Sequence, residues 1–181
     1  MDPDERPALL PAVAAELRRR ASSDQAARRR LLEDGEPGDL LRIDAENTAW
    51  LKGVVAEHGW PGLGLVGEKG ADDAWLLVQH ADRDPGFQRA ALALLRAAVD
   101  AGEAPPGHLA YLTDRVRVNE GQPQLYGTQY TADDAHGLRP YPVQEPEYLD
   151  ERRAAVGLEA AAVYDRRLRA TYAPVAEEAS G

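Results

Sequence analysis

Proline and glycine cut this chain into segments of helical length, and within them the apolar residues recur every three or four positions. Asp84-Pro85 places an acid at a helix N-cap and a proline at the first helical position. Phe87, Ala91, Leu94 or Leu95, and Ala98 then mark a buried side, and Gly102 ends the run. Pro105-Pro106 opens the next segment, where Leu109, Leu112 and Val116 face the core and Asn119-Glu120-Gly121 closes it. Upstream, Trp50, Leu51, Val54 and Val55 form a stripe on a helix that Asp44 can cap and that runs to about His58, with Gly59 suited to a left-handed C-cap. Trp60-Pro61-Gly62 breaks the chain before a helix over Ala71 to Ala81. A pattern of this kind makes the chain mainly α, because its apolar residues share a side only at helical period.

The period changes after Gly121. Polar and aromatic residues alternate from Gln124 to Thr131, a turn follows over Asp133 to Gly137, and Arg139 to Val143 carries two prolines that restrict it to an edge strand. Pro146 begins a helix to about Val156, and Leu158 to Tyr172 forms the last one. At the other end, Ala8 to Arg20 and Asp24 to Leu32 read as two short helices, with Ser22-Ser23-Asp24 supplying cap oxygens. The expectation is a single compact helical domain with one small β-hairpin near residues 124–143. Its N-terminal helices cover 1–34, its motif-bearing core 35–172, and 173–181 form a disordered tail.

Composition removes whole classes of function. A net charge of -10 opposes binding to nucleic acid or an anionic membrane, since neutralising phosphates requires a basic field. The absence of cysteine excludes disulfides, thiolate nucleophiles and iron-sulfur clusters, and makes the cytoplasm the simplest location. The first residues are acidic where a secretory signal is basic, and no apolar run is long enough to span a bilayer. Arg18, Arg19, Arg20, Arg28, Arg29 and Arg30 make the only basic region, read as a solvated helical face with phosphate or carboxylate binding as the alternative. Heavy use of Ala, Arg, Gly and Pro points to a high-GC bacterial genome.

Three polar signatures stand out: Gln79-His80-Ala81-Asp82, Tyr111-Leu112-Thr113-Asp114-Arg115 and Tyr126-Gly127-Thr128-Gln129. His80 ends its helix, where unpaired carbonyls suit a protonated ring and Asp82 and Asp84 lie close; the bland alternative is a histidine that caps the helix and packs on leucines. On the helix after Pro106, spacing sets His108, Tyr111 and Arg115 on one face. Arg115 can clamp an anion and Asp114 can orient His80 or act as a base, unless either acts only as a salt bridge to Asp82. In the hairpin, Tyr126 and Thr128 share one face with Tyr130, while Gln129 faces the other side with Gly127. His58, His80, His108 and His136 offer no metal-ligand spacing, and no serine-hydrolase or phosphate-loop motif occurs.

In these three motifs, together with Phe87-Gln88 and Gly59-Trp60-Pro61, the chain resembles a bacterial family of unknown function. The resemblance covers roughly Asp44 to Val156, leaves the basic N-terminal helices outside, and implies no activity. It places Gln79, His80, Asp82, Gln88, Asp114, Arg115, Thr128 and Gln129 at the family's motif positions.

The functional expectation is a small enzyme that applies acid-base chemistry to a small polar, anionic substrate by hydrolysis, elimination or isomerisation. His80, Asp82 and Asp114 are its catalytic candidates, and Gln79, Gln88, Tyr111, Arg115, Tyr126, Thr128 and Gln129 its substrate-binding ones. No metal or cofactor is implied, and the oligomeric state stays open. The competing expectation is a binding module of immunity or adaptor type, in which the same residues form a buried structural network.

Overall fold

The computed structural model of the chain describes residues 8–133 and 137–172. Among these the elements run α1 Pro11–Asp34, α2 Leu40–His58, α3 Leu63–Gln79, α4 Pro85–Asp100, α5 Pro106–Asn119, β1 Tyr130–Asp133, β2 Gly137–Pro140, α6 Leu149–Ala155 and α7 Ala161–Thr171. The fold is mainly α with one small antiparallel hairpin, in which Tyr130 pairs with Pro140 and Asp133 with Gly137. Helix α1 packs along α3, α2 lies against both, and α4 packs on α5. Leu17, Leu51, Leu77, Val78, Leu95 and Leu112 come from five different helices and meet in one buried core. No described helix is long and apolar enough to cross a membrane.

The end of α2 and the bounds of α4 and α5 follow the punctuation closely. The Asp84 carboxylate accepts the Phe87 N–H at 2.9 Å with Pro85 at the first helical position, so one cap and one preset φ fix the start of α4. Phe87, Ala91, Leu95 and Ala98 are its buried apolar residues, which settles Leu95 over Leu94. Gly59 takes a positive φ of 74° and its N–H bonds the Val55 carbonyl, so α2 stops where the glycine stands.

Several boundaries differ from expectation, each for a physical reason. The two N-terminal helices are one 24-residue helix. Leu17, Ala21, Asp24 and Ala27 continue a single buried stripe, and Asp24 finds its partners in tertiary contacts, so Ser22 and Ser23 do not interrupt it. Asp44 does not cap α2, which starts at Leu40; it lies one turn inside and pairs with Arg28. Helix α3 begins at Leu63, before Ala71, and is kinked at Gly67, whose φ of 73° no β-carbon would favour. Residues 124–129 are a loop and not a strand: only an isolated bridge joins Gln124 to Val143, and pairing proper starts at Tyr130. Pro146 opens a short tight turn that leads into α6, and α7 begins at Ala161, three residues after Leu158. The turn expected over 133–137 lies partly, and the tail over 173–181 wholly, outside the described residues.

Candidate functional site

His80 stands at the C-cap of α3, and its ring turns toward α1, away from the acids that follow it in sequence. Its Nδ1 lies 2.9 Å from Asp24 Oδ2, and Asp24 is completely buried. One turn further along α1, Arg28 reaches the same place. Its Nε sits 3.3 Å from both Asp24 oxygens and 3.0 Å from His80 Nδ1, and its Nη2 is 2.8 Å from Asp44 Oδ1. Three helices thus deliver one histidine, one arginine and two carboxylates to one spot.

Asp24 and Arg28 both approach the same ring nitrogen. Two neighbours compete for Nδ1: it donates to Asp24 when it carries the proton and accepts the Arg28 Nε–H when it is bare, so it is engaged in either tautomer. Burial pushes the Asp24 carboxyl up, but the hydrogen bond and charge of His80, with Arg28 beside them, outweigh it and leave its pKa below the ordinary value. At Asp44 the balance reverses: burial, with the nearby Asp24 charge adding, outweighs Arg28 and raises the carboxyl.

With Nδ1 engaged, Nε2 is the free atom of the ring, and it has no hydrogen-bond partner among the described residues. The ring lines an open cleft of about 230 Å³ with Asp44, Thr48, Lys52 and Arg83. Lys52 is held by Asp84 at 2.6 Å. Arg83 is exposed and makes no hydrogen bond or ion pair among the described residues.

The other motif residues form a separate network. The buried Asp114 carboxylate accepts the N–H groups of Leu125 at 2.7 Å, Tyr126 at 3.0 Å and Thr128 at 3.0 Å, and the Thr128 hydroxyl at 2.9 Å. The loop wraps around this one side chain, and Gly127, at a φ of 63°, lets the backbone turn so that flanking amides point inward. Gln124 clasps it from the other side, donating to the Gln129 and Tyr141 carbonyls and accepting the Gln129 N–H. Arg115 donates through Nη1 to Gln129 Oε1 at 2.9 Å and through Nε to the Gln79 carbonyl at 3.1 Å, with Asp82 at 3.0 Å. Gln88, also buried, donates to the Val78 carbonyl and Asp82 and accepts from Asn119. Tyr111 meets Trp75 edge-on, and His108 stacks on the same indole at 4.3 Å between ring centres.

The three motifs therefore do come together at Gln79, Asp82, Arg115, Thr128 and Gln129, but the His80 ring points out of that network. Neither Asp82 nor Asp114 bonds to it; the acid that holds the ring is Asp24. Arg115 is likewise absent from the wall of the His80 cleft. From the sequence, Asp24 and Asp44 read only as helix caps and Arg28 as part of the basic face, and Arg83 carried no signal. One signal for Asp24 was available: an acid inside the stripe Leu17, Ala21, Ala27 must be buried if α1 runs unbroken, and a buried acid needs a partner. Among the described residues no group of three His, Asp or Glu side chains is arranged to hold a metal ion.

No curated protein and no solved structure matches the chain. One family model does match, and the match takes in α1 with its arginines, which the resemblance left outside. Matched from residue 11 to residue 175, the chain belongs to the family of unknown function DUF6624.

Proposed function

We propose that this chain is a cytoplasmic enzyme that moves a proton to or from a small anionic substrate through His80. The observation that carries the reading is the pairing of His80 Nδ1 with a buried carboxylate at 2.9 Å while the ring borders an open cleft. A carboxylate behind a histidine fixes the orientation of the ring and leaves Nε2 to meet the substrate. Nε2 takes a proton from the substrate or from a water and returns it later, which suits hydrolysis, elimination or isomerisation. In this arrangement Asp24 is the positioning residue, and Arg83, uncommitted at the cleft rim, takes the anion-holding part expected of Arg115. Asp114, Gln124 and Gln88 brace the fold around it, since each is buried and bonded to backbone groups or to the polar network.

The test is to titrate the full chain with a panel of small carboxylates and phosphates while the His80 ring resonances are followed by NMR, and to assay every binder for conversion. A compound that shifts the ring should be converted by the natural protein and not by His80→Gln, whose stability should fall by only about 1 kcal/mol because the amide still donates to Asp24. Conversion that survives in His80→Gln, binders that leave the ring unshifted, or a stability loss above about 3 kcal/mol would overturn the reading in favour of a structural histidine.

A further inference from the structure

A second and larger cavity, of about 850 Å³, opens between the hairpin and α7. We infer that it is a ligand site for a small amphipathic carboxylate, with Arg115 receiving the anionic head and Leu138, Leu168, Tyr130 and Tyr164 the apolar body.

Size is the first argument, since small-molecule sites run from roughly 300 to 1,000 Å³ and bury most of an apolar ligand. Charge is the second. Among the described residues the wall carries two guanidiniums, Arg115 and Arg169, and no carboxylate. Their partner acids, Asp82 and Asp165, stand off the wall. With each guanidinium paired, the wall is locally balanced in a chain whose net charge is -10.

Arg115 is also aimed. Its Nε and Nη1 are fixed by the Gln79 carbonyl and Gln129 Oε1, while Nη2 has no partner among the described residues and the side chain is 29% exposed. A guanidinium already held on one edge loses little freedom when the other edge meets a carboxylate. The tyrosines add no negative charge: burial pushes the Tyr130 hydroxyl up to about 12 and the Tyr164 hydroxyl higher still, so both stay neutral. Leu32 and Tyr172, 66% and 52% exposed, border the same cavity, leaving apolar surface in water where a ligand's body would cover it.

This inference does not depend on the His80 cleft, so either can fail alone. The full chain is titrated with phenylbutanoate, phenylbutanol and phenylbutylammonium while backbone amide NMR shifts are recorded. Phenylbutanoate should bind saturably, shift the amides of Gln129, Tyr130, Leu138 and Leu168, and bind about tenfold more tightly than the alcohol, the worth of one charge-assisted hydrogen bond. The ammonium compound should bind least. Leu168→Trp, which narrows the cavity at its α7 wall, should weaken binding of both acid and alcohol, and Arg115→Gln should remove the preference for the acid while the alcohol still binds. Should Arg115→Gln fail to fold, Leu168→Trp and the three-ligand comparison still decide. Equal affinity for acid and alcohol, preference for the ammonium, shifts confined to the His80 cleft, or no saturable shift would each overturn the inference.

Discussion

Asp24 and Asp44 face the same guanidinium, yet their carboxyls are pushed in opposite directions. The difference lies in His80, which bonds Asp24 directly, and it sets opposite pH behaviour. With a folded pKa below its unfolded one, Asp24 adds stability that is fully present above about pH 4 and is lost as the pH falls through the folded value. With a raised folded pKa, Asp44 adds stability in acid that is lost as the pH rises through that value. At neutral pH, urea unfolding of Asp24→Asn should show a loss of about 3 kcal/mol, because Arg28 and His80 lose a fully buried partner. Asp44→Asn should change stability by less than about 1 kcal/mol. Equal losses would mean the two carboxylates are interchangeable, contrary to the geometry. His108 supplies a second pH signature. Burial on Trp75 lowers its pKa, with Asp72 opposing, so below about pH 6.5 the unfolded chain takes up a proton that the folded one resists. Stability should therefore decline as the pH falls from that value, and His108→Phe, which keeps a ring against Trp75, should flatten the decline in thermal unfolding between about pH 6.5 and 5.

At the scale of elements, the loop over 124–129 depends on Asp114 more than on its own residues. Its alternating pattern reads as a strand, but four donors within five residues converge on one carboxylate, and that outcompetes a sheet ladder with a short, proline-bearing partner. Asp114→Asn sets an amide NH₂ against these donors and leaves at least one of them unpaired. Stability should fall by about 3 kcal/mol, and hydrogen exchange should show the amides of Leu125, Tyr126 and Thr128 losing protection first. Unchanged exchange at those amides would refute the brace. The contrast with α4 shows what was legible. A cap, a proline and an apolar stripe are local signals, and they placed α4 and α5 to within a residue or two. The loop donors on Asp114 and the His80 ring on Asp24 lie 11 to 56 residues away along the chain, and nothing in local periodicity reports them. The three motifs marked where polar groups gather; which acid faces His80 was decided by tertiary packing.

For the whole molecule, the question is whether α1 is an appendage or part of the core. The arginine-rich stretch invites the first view, since Arg18, Arg19, Arg29 and Arg30 are indeed exposed. The opposite face decides otherwise: Leu17, Ala21 and Ala27 are buried, Leu17 belongs to the same cluster as Leu51, Leu77 and Leu95, and α1 packs along α3. The family match, which begins at residue 11, treats α1 as part of the same unit. Removing it would expose the α3 face and strip His80 and Asp44 of Asp24 and Arg28, leaving charged groups uncompensated inside an opened core. A chain starting at residue 36 should therefore lose cooperative unfolding. Near- and far-ultraviolet circular dichroism, coincident in urea for the full chain, should separate, with the near-ultraviolet signal weak or lost before denaturant is added. A sharp, coincident transition in the shortened chain would show that α2 to α7 fold alone and that α1 is carried for another reason.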